Sequence, residues 1–141
     1  MSAADFLDSN VLVYAFDTRD PRRNTIASTL LAQAQRERSA VISHQVVQET
    51  LNVLTRKLVP RLSAADARDT LTDVLAPLWR VQPSPALYAR ALALQERYTF
   101  SFYDSLIVAA ALEAGCQRLL TEDLQNGQQI DGLTIQNPFK D

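Results

Sequence analysis

The sequence predicts an α/β fold with a mainly parallel central sheet of about four to five short strands flanked by helices. Two observations carry this prediction. Short apolar, β-like runs alternate with longer helical patterns along the chain. Polar helix-start residues and prolines separate these runs. The 141 residues fit one domain, and no repeat or linker divides them. We therefore expect a single domain over residues 1–141.

The first half of the chain contains two predicted strands and four predicted helices. The strands are Ala4–Asp8 and Ala40–Ser43, and the helices are Val11–Phe16, Arg22–Arg36, Gln45–Leu58 and Ser63 to about Leu75. Pro21 fits a first helical turn, and Ser63 to Asp66 resembles a capping box. These signals indicate a strand–helix order typical of a parallel sheet.

The second half contains up to three further strands. They are Trp79–Gln82, Arg118–Thr121 and a possible last strand at Leu133–Gln136, with helices from Ser84–Pro85 to about Tyr98 and over Tyr103–Ala114. The second of these helices is apolar nearly all round from Leu106 to Leu112, which predicts burial on most sides. Gly115 is a plausible C-cap. Cys116 and Trp79 are expected in the core.

Composition excludes several classes of protein. The net charge of −2 argues against a protein that coats nucleic acid through bulk charge. The single cysteine cannot form an internal disulfide. No signal peptide or long apolar span is seen, so we expect a cytoplasmic protein without a membrane segment. Arg19, Arg22 and Arg23 form a small basic patch that either contacts RNA or is simply solvated.

Three acids occupy equivalent places in the predicted fold. Asp8 ends the first strand, Asp104 opens the buried helix, and Asp123 follows the fourth strand. In a parallel α/β sheet these junctions gather at the carboxyl edge of the strands, where such sheets place their ligands. Taken singly, each acid could instead cap a helix or a helical turn.

Taken together, the acids indicate a metal site. Two carboxylates about 4 Å apart repel by roughly 4 kcal/mol at an effective dielectric of 20, so a convergent cluster calls for a cation. Oxygen-only ligands suit Mg²⁺ or Mn²⁺. A histidine-pair ribonuclease is excluded because His44 is the only histidine, and the three glycines form no phosphate-binding loop.

Four segments resemble the motifs of the PIN-domain family, and of its VapC-type toxin ribonucleases in particular. They are Phe6–Val11 (FLDSNV), Ser43–Asn52 (SHQVVQETLN), Phe100–Ile107 (FSFYDSLI) and Leu119–Leu124 (LLTEDL), and Ile130–Phe139 (IDGLTIQNPF) is similar to the family's last strand. Any one motif is weak. Their order and spacing over nearly the whole chain make the resemblance specific.

The resemblance implies a PIN-like three-layer sandwich and an endoribonuclease that needs divalent metal. It implies that Asp8, Glu49, Asp104 and Asp123 form the catalytic set. Asp8, Asp104 and Asp123 would hold Mg²⁺ or Mn²⁺, and Glu49 would complete the acidic cluster, possibly through water. It also implies a homodimer and a VapB-type antitoxin whose C-terminal segment fills the groove of the active site.

Other residues have weaker assignments. Ser9, Asn10 and Thr121 have the chemistry to orient water, substrate or carboxylates, although Ser9 and Thr121 could be ordinary turn hydroxyls. Periodicity alone puts Glu49 on the polar side of its helix, as a solvated acid. Glu113 is out of phase with Asp104 on an ideal helix, so we expect it to be structural or at the surface.

Three alternatives stay open at this point. A phosphatase or receiver domain that phosphorylates an aspartate fits poorly, because Asn10 stands where the phosphatase needs a second Asp. Lys57 and Lys140 are also badly placed for it. The chain could be a PIN nuclease of RNA processing outside a toxin–antitoxin pair. It could also be a binding module that no longer cuts RNA.

Overall fold

The computed structural model describes residues 3–141 and shows six strands. They are β1 (Asp5–Leu7), β2 (Ala40–Ser43), β3 (Trp79–Val81), β4 (Arg118–Leu120), β5 (Gln129–Ile130) and β6 (Leu133–Gln136). They form one sheet in the order β3-β2-β1-β4-β6-β5, parallel except for the antiparallel pair of β5 and β6. The predicted α/β class with a mainly parallel sheet is confirmed.

Seven α-helices connect the strands within the described residues. They are α1 (Ser9–Tyr14), α2 (Pro21–Glu37), α3 (His44–Arg56), α4 (Ala64–Thr70), α5 (Ala76–Leu78), α6 (Pro85–Tyr98) and α7 (Phe102–Glu113). A π-helical segment, Leu71–Leu75, joins α4 to α5, so the helical run that was expected to end near Leu75 continues to Leu78. Each predicted strand and helix has its counterpart, with ends that differ by a few residues.

The hairpin of β5 and β6 is the difference from the predicted sheet of four to five strands. Ile130 pairs with Leu133 across a two-residue turn, Asp131–Gly132. Both turn residues have positive φ, 51° and 89°, as a type I′ hairpin turn requires. Asp–Gly between apolar residues is a strong hairpin signal, and it indicates the strand that periodicity missed in so short a run.

The order of the strands reverses between β1 and β4. From β1 the chain adds β2 and β3 on one side, and later adds β4 and β6 on the other. Such a reversal leaves a crevice at the carboxyl ends of the two central strands, which is where open α/β sheets bind ligands. Helices that lead into a parallel strand start at that same edge, so the start of α7 lies there too.

Helix α7 has the longest run of buried residues among the helices. Seven consecutive residues, Ser105 to Ala111, are buried, as its apolar sequence predicts. Gly115 follows the helix with a φ of 74°, which a C-cap glycine adopts readily. Cys116 is also buried, and burial raises the pKa of its thiol to about 11. The prediction that Cys116 is a packing residue, not a reactive thiol, is confirmed.

The remaining predictions of burial also agree with the structure. Trp79 packs against the core and donates its indole N–H to the carbonyl oxygen of Val81 at 3.1 Å. Between residues 3 and 141, no helix is both long and apolar enough to cross a membrane.

Candidate active site

Asp8 lies at the carboxyl end of β1, directly at the reversal of strand order. Its backbone N–H donates to the carbonyl oxygen of Leu120 at 3.0 Å, which fixes the end of β1 beside the end of β4. The Asp8 carboxylate caps α1 and accepts from the backbone N–H of Ser9 at 2.7 Å. The side chain is buried. Asp8 is therefore both a helix cap and a carboxylate aimed into the crevice.

Thr121 joins the ends of the two central strands. Its hydroxyl donates to Asp8 Oδ2 at 2.8 Å and accepts from the backbone N–H of Asp123 at 3.1 Å. Thr121 is fully buried. The residues after Thr121 form bends and no helical turn, so the alternative in which Asp123 caps such a turn is wrong. The Thr121 hydroxyl instead holds the Asp123 backbone close to Asp8.

Asn10 lies at the centre of the polar contacts. Its amide nitrogen lies 3.1 Å from Asp123 Oδ2, 3.2 Å from Thr121 Oγ1 and 3.4 Å from Asp8 Oδ2, so its two hydrogens are shared among three acceptors. Its amide oxygen accepts from the backbone N–H of Glu122 at 3.3 Å. Asn10 thus places a donor between two carboxylates that would otherwise repel each other.

Glu49 extends the group from the second turn of α3. The Ser9 hydroxyl donates to Glu49 Oε1 across 3.5 Å, a long hydrogen bond. Burial raises the pKa of Glu49, hydrogen bonds from Gln45 and Ser9 oppose that rise, and the charges of Asp123 and Asp104 add to it. The structure therefore places Glu49 beside the other acids, although its helical periodicity indicates only a polar face.

Asp104 reaches the same region from the first turn of α7. Ser101 caps this helix and accepts from the backbone N–H of Asp104 at 3.1 Å. The Asp104 side chain is half-buried. The charge of Asp104 adds, as the smallest of the named causes, to the raised pKa of Glu49.

Asp8 has the most strongly shifted acidity of these side chains. Burial raises the pKa of Asp8 to about 6, hydrogen bonds from Thr121 and Ser9 oppose the rise, and the charges of Asp123 and Glu49 increase it. Desolvation and neighbouring like charges both disfavour a carboxylate. A cation in the crevice would relieve both effects.

Asp8, Glu49, Asp104 and Asp123 are here called the carboxylate cluster. None of the salt bridges found between residues 3 and 141 involves any of its members. Its donors are all oxygen atoms, which Mg²⁺ and Mn²⁺ prefer. The chemistry of the donor set therefore fits a divalent cation.

The carboxylate cluster is not closed into a coordination shell. In the part of the chain described, no three His, Cys, Asp or Glu side chains are grouped closely enough to hold a metal ion. The amide of Asn10 and the hydroxyl of Thr121 occupy oxygens of Asp8 and Asp123. Several carboxylates would have to move before they could share one cation.

Other residues singled out in the sequence lie outside the cluster. Glu113 is exposed at the far end of α7. The three arginines of the basic patch are all engaged: Arg19 with Asp17, Arg22 with Asp141, and Arg23 with Asp20 and Glu122. His44 is the first residue of α3, and its ring centroid lies 6.3 Å from that of Trp79.

Sequence reasoning missed the contribution of Gln45. Its side-chain amide donates to the carbonyl oxygen of Tyr103 at 3.2 Å and also lowers the pKa of Glu49 through a hydrogen bond. Gln45 therefore joins α3 to the start of α7. Its position one turn before Glu49 was the only available signal, since residues four apart share a helix face.

Comparison with solved structures shows the same fold in toxin–antitoxin proteins. The chain is similar to a toxin–antitoxin complex from Klebsiella pneumoniae (TM-score 0.67, 19% identity, 95% of this chain and 97% of that chain). It is also similar to VapBC2 from Rickettsia felis, bound to a promoter DNA fragment (TM-score 0.62, 17% identity, 94% and 97% coverage). At these identities the likeness establishes the fold.

A third similar structure is VapC20 from Mycobacterium tuberculosis, described as a toxin that cleaves the sarcin–ricin loop. Its TM-score is 0.59 at 21% identity, with 82% of this chain and 86% of that chain covered. None of the curated proteins matches the sequence. The family model described as PIN domain matches residues 6–128, which contain the whole carboxylate cluster. The chain belongs to the PIN domain family.

Proposed function

We propose that this protein is a metal-dependent endoribonuclease that cleaves RNA phosphodiester bonds and acts as the toxin of a VapBC-type pair. The placement of four carboxylates without a salt-bridge partner among the described residues, near the reversal of strand order, supports this proposal most directly. Membership of the PIN domain family and the RNA-cleaving toxin among the similar structures support the same activity. The metal is Mg²⁺ or Mn²⁺, in keeping with the all-oxygen donor set.

Each side chain has a definite role in this proposal. Asp8, Asp104 and Asp123 would hold the metal, and Glu49 would complete the site directly or through water. A metal bound there would supply Lewis acidity and neutralise charge that develops on the phosphate. Asn10 and Thr121 orient the carboxylates of Asp8 and Asp123 through the hydrogen bonds described above, and Ser9 orients Glu49.

The proposed toxin role also concerns the partners of this protein and its location in the cell. The similar structures include complexes of toxins with antitoxins, which supports a VapB-type antitoxin as a partner of this chain. We further propose a homodimer, a single PIN domain over residues 1–141 and a cytoplasmic location. The substrate is cellular RNA.

Cleavage of total cellular RNA by purified, antitoxin-free protein tests the activity. We expect discrete products with Mg²⁺ or Mn²⁺ and none with EDTA. Asp104→Asn should abolish cleavage. Asp66→Asn is the matched control, because Asp66 occupies the same position in the capping box of α4 as Asp104 does in α7, and Ser63 accepts from its N–H at the same 3.1 Å.

The outcomes of the cleavage experiment show which part of the proposal is wrong. Folded protein that cuts no RNA with either metal would contradict the nuclease proposal. Cleavage that persists both in EDTA and in Asp104→Asn would show that the carboxylate cluster does not carry the reaction. Loss of cleavage in Asp66→Asn as well would trace the effect to helix capping.

A further inference from the structure

A cavity of about 320 Å³ lies beside the carboxylate cluster, between the starts of α3, α6 and α7. We call it the side cavity. Four aromatic side chains and three side-chain amides line it: His44, Tyr88, Phe102 and Tyr103, and Gln45, Gln48 and Gln82. No Asp, Glu, Lys or Arg lines it. Apart from the imidazole of His44, the lining therefore has no ionisable acid or base of these four kinds, and it is partly aromatic and rich in hydrogen-bonding amides.

The side cavity is connected to the carboxylate cluster through two residues. Gln45 lines the cavity and hydrogen-bonds Glu49 of the cluster, one helical turn away or about 6 Å along α3. Tyr103 lines the cavity and immediately precedes Asp104. The hydrogen bond from Gln45 to the Tyr103 carbonyl oxygen fixes these two neighbours relative to each other. A ligand in the cavity would thus contact the residue before Asp104 on α7 and the residue one helical turn before Glu49 on α3.

Tyr88 and Tyr103 are large aromatic side chains that remain exposed to solvent in the folded chain. Tyr103 is 66% exposed and Tyr88 is 43% exposed, whereas most large apolar side chains of the described residues are covered. Phe102 packs edge-on against Tyr103, with ring centroids 5.7 Å apart. Exposed aromatic rings beside amide groups are the means by which proteins hold unpaired bases of single-stranded RNA.

We propose that the side cavity binds one unpaired nucleobase of the RNA strand whose phosphodiester bond lies at the carboxylate cluster. This inference rests on the proposed ribonuclease function and names the part of the substrate that is recognised. Tyr103 and Tyr88 stack on the base, and Gln48 and Gln82 hydrogen-bond its edge. This lining suits a base, since a phosphate would find no Lys or Arg side chain there.

Binding measured without cleavage tests the side cavity separately from the nuclease proposal. The probe is a fluorescently labelled single-stranded RNA octamer of mixed sequence, compared in EDTA with an abasic ribose–phosphate octamer of the same length. We expect the intact chain to prefer the octamer with bases by about tenfold, within the range that stacking of one base contributes. Tyr103→Ala and Tyr88→Ala should each remove most of this preference.

Two controls accompany these variants. Tyr103→Phe keeps the ring and should keep the preference. Leu92→Ala removes another exposed apolar side chain of α6, 55% exposed, that does not line the cavity, and should also leave it unchanged. Circular dichroism and sedimentation of every variant confirm folding and oligomeric state.

Three outcomes would overturn the proposal. The first is equal binding of both octamers by the intact chain. The second is an unchanged preference in the folded Tyr103→Ala and Tyr88→Ala variants. The third is a change of oligomeric state in those variants, which would make the cavity a protein interface. RNA cleavage without base preference would reject the side cavity alone, whereas base preference without cleavage would reject the nuclease and keep the cavity.

Discussion

At the scale of single residues, the charged carboxylate of Asp8 lowers the stability of the folded protein. Its carboxylate is buried beside Asp123 and Glu49, and no cationic side chain between residues 3 and 141 forms a salt bridge with it. Its pKa of about 6 lies above the ordinary value of 3.8, so the folded chain binds a proton more tightly than the unfolded chain. The charged form therefore costs stability above pH 6, and this cost disappears as the pH falls below 3.8.

We predict that Asp8→Asn stabilises the protein in EDTA. The gain should reach up to about 3 kcal/mol above pH 6, because each unit of pKa shift corresponds to about 1.4 kcal/mol. It should shrink between pH 6 and pH 4. Urea unfolding of both proteins across this range measures it, with Asp69→Asn as a control for loss of an exposed charge. A variant less stable than the parent protein at pH 7.5 would contradict the prediction.

Asn10, in contrast to Asp8, contributes favourably to the stability of the folded protein. Its amide separates Asp8 from Asp123 and holds the backbone of Glu122. We predict that Asn10→Ala destabilises the protein by about 1–3 kcal/mol, since it leaves polar partners unsatisfied. Thermal unfolding measures this loss. Asn52→Ala, an exposed position on α3, is the control, and equal effects of the two changes would contradict the role of Asn10.

At the scale of elements, serine N-caps fix the first turns of α4 and α7, each of which carries an aspartate. Ser101 caps α7 and Ser63 caps α4. Each serine hydroxyl accepts a 3.1 Å hydrogen bond from the backbone N–H three residues later. Of these two helices, α7 carries a residue of the carboxylate cluster and α4 does not. A comparison of the two caps therefore distinguishes the effect of capping on the stability of the protein from its effect on the position of Asp104.

We predict that Ser101→Ala and Ser63→Ala lower stability alike, by about 1 kcal/mol. Only Ser101→Ala should also reduce RNA cleavage, because the first turn of α7 positions Asp104. Thermal unfolding and cleavage rates at a temperature where both variants are folded give the comparison. Equal cleavage rates in the two variants would show that the cap does not position Asp104.

The sequence was sufficient to predict most elements, because caps, prolines and apolar periodicity mark their ends locally. It missed β5, whose two residues are too few for periodicity and whose only signal is the Asp131–Gly132 turn. It also missed the link made by Gln45. That link depends on how α3 packs against α7, which no local pattern specifies.

At the scale of the molecule, the sheet order decides which acids meet. Asp8 and Asp123 follow β1 and β4, which are neighbours only because the strand order reverses between them. The equivalence of these positions could be predicted from the sequence, whereas their distances and the intervening Asn10 could not. The reason is that hydrogen bonds over more than 100 residues of sequence fix that geometry.

The whole-molecule charge bears on how RNA binds. The net charge is −2, and the three arginines of the basic patch are engaged in ion pairs. We predict a shallow salt dependence of RNA affinity, with a log–log slope no steeper than about −2, because few phosphate contacts release counterions. Fluorescence anisotropy between about 50 and 200 mM salt measures it. A slope near −5 would indicate an extended phosphate-binding surface.

The proposed metal site takes one carboxylate each from the end of β1, from α3, from α7 and from the loop after β4. Calorimetric titration of the antitoxin-free protein with Mn²⁺ tests it most directly. We predict saturable binding that Asp8→Asn and Asp104→Asn each weaken at least tenfold and that Asp66→Asn leaves unchanged. Absence of binding by the folded protein, or binding that the Asp8 and Asp104 variants do not alter, would contradict a shared metal site.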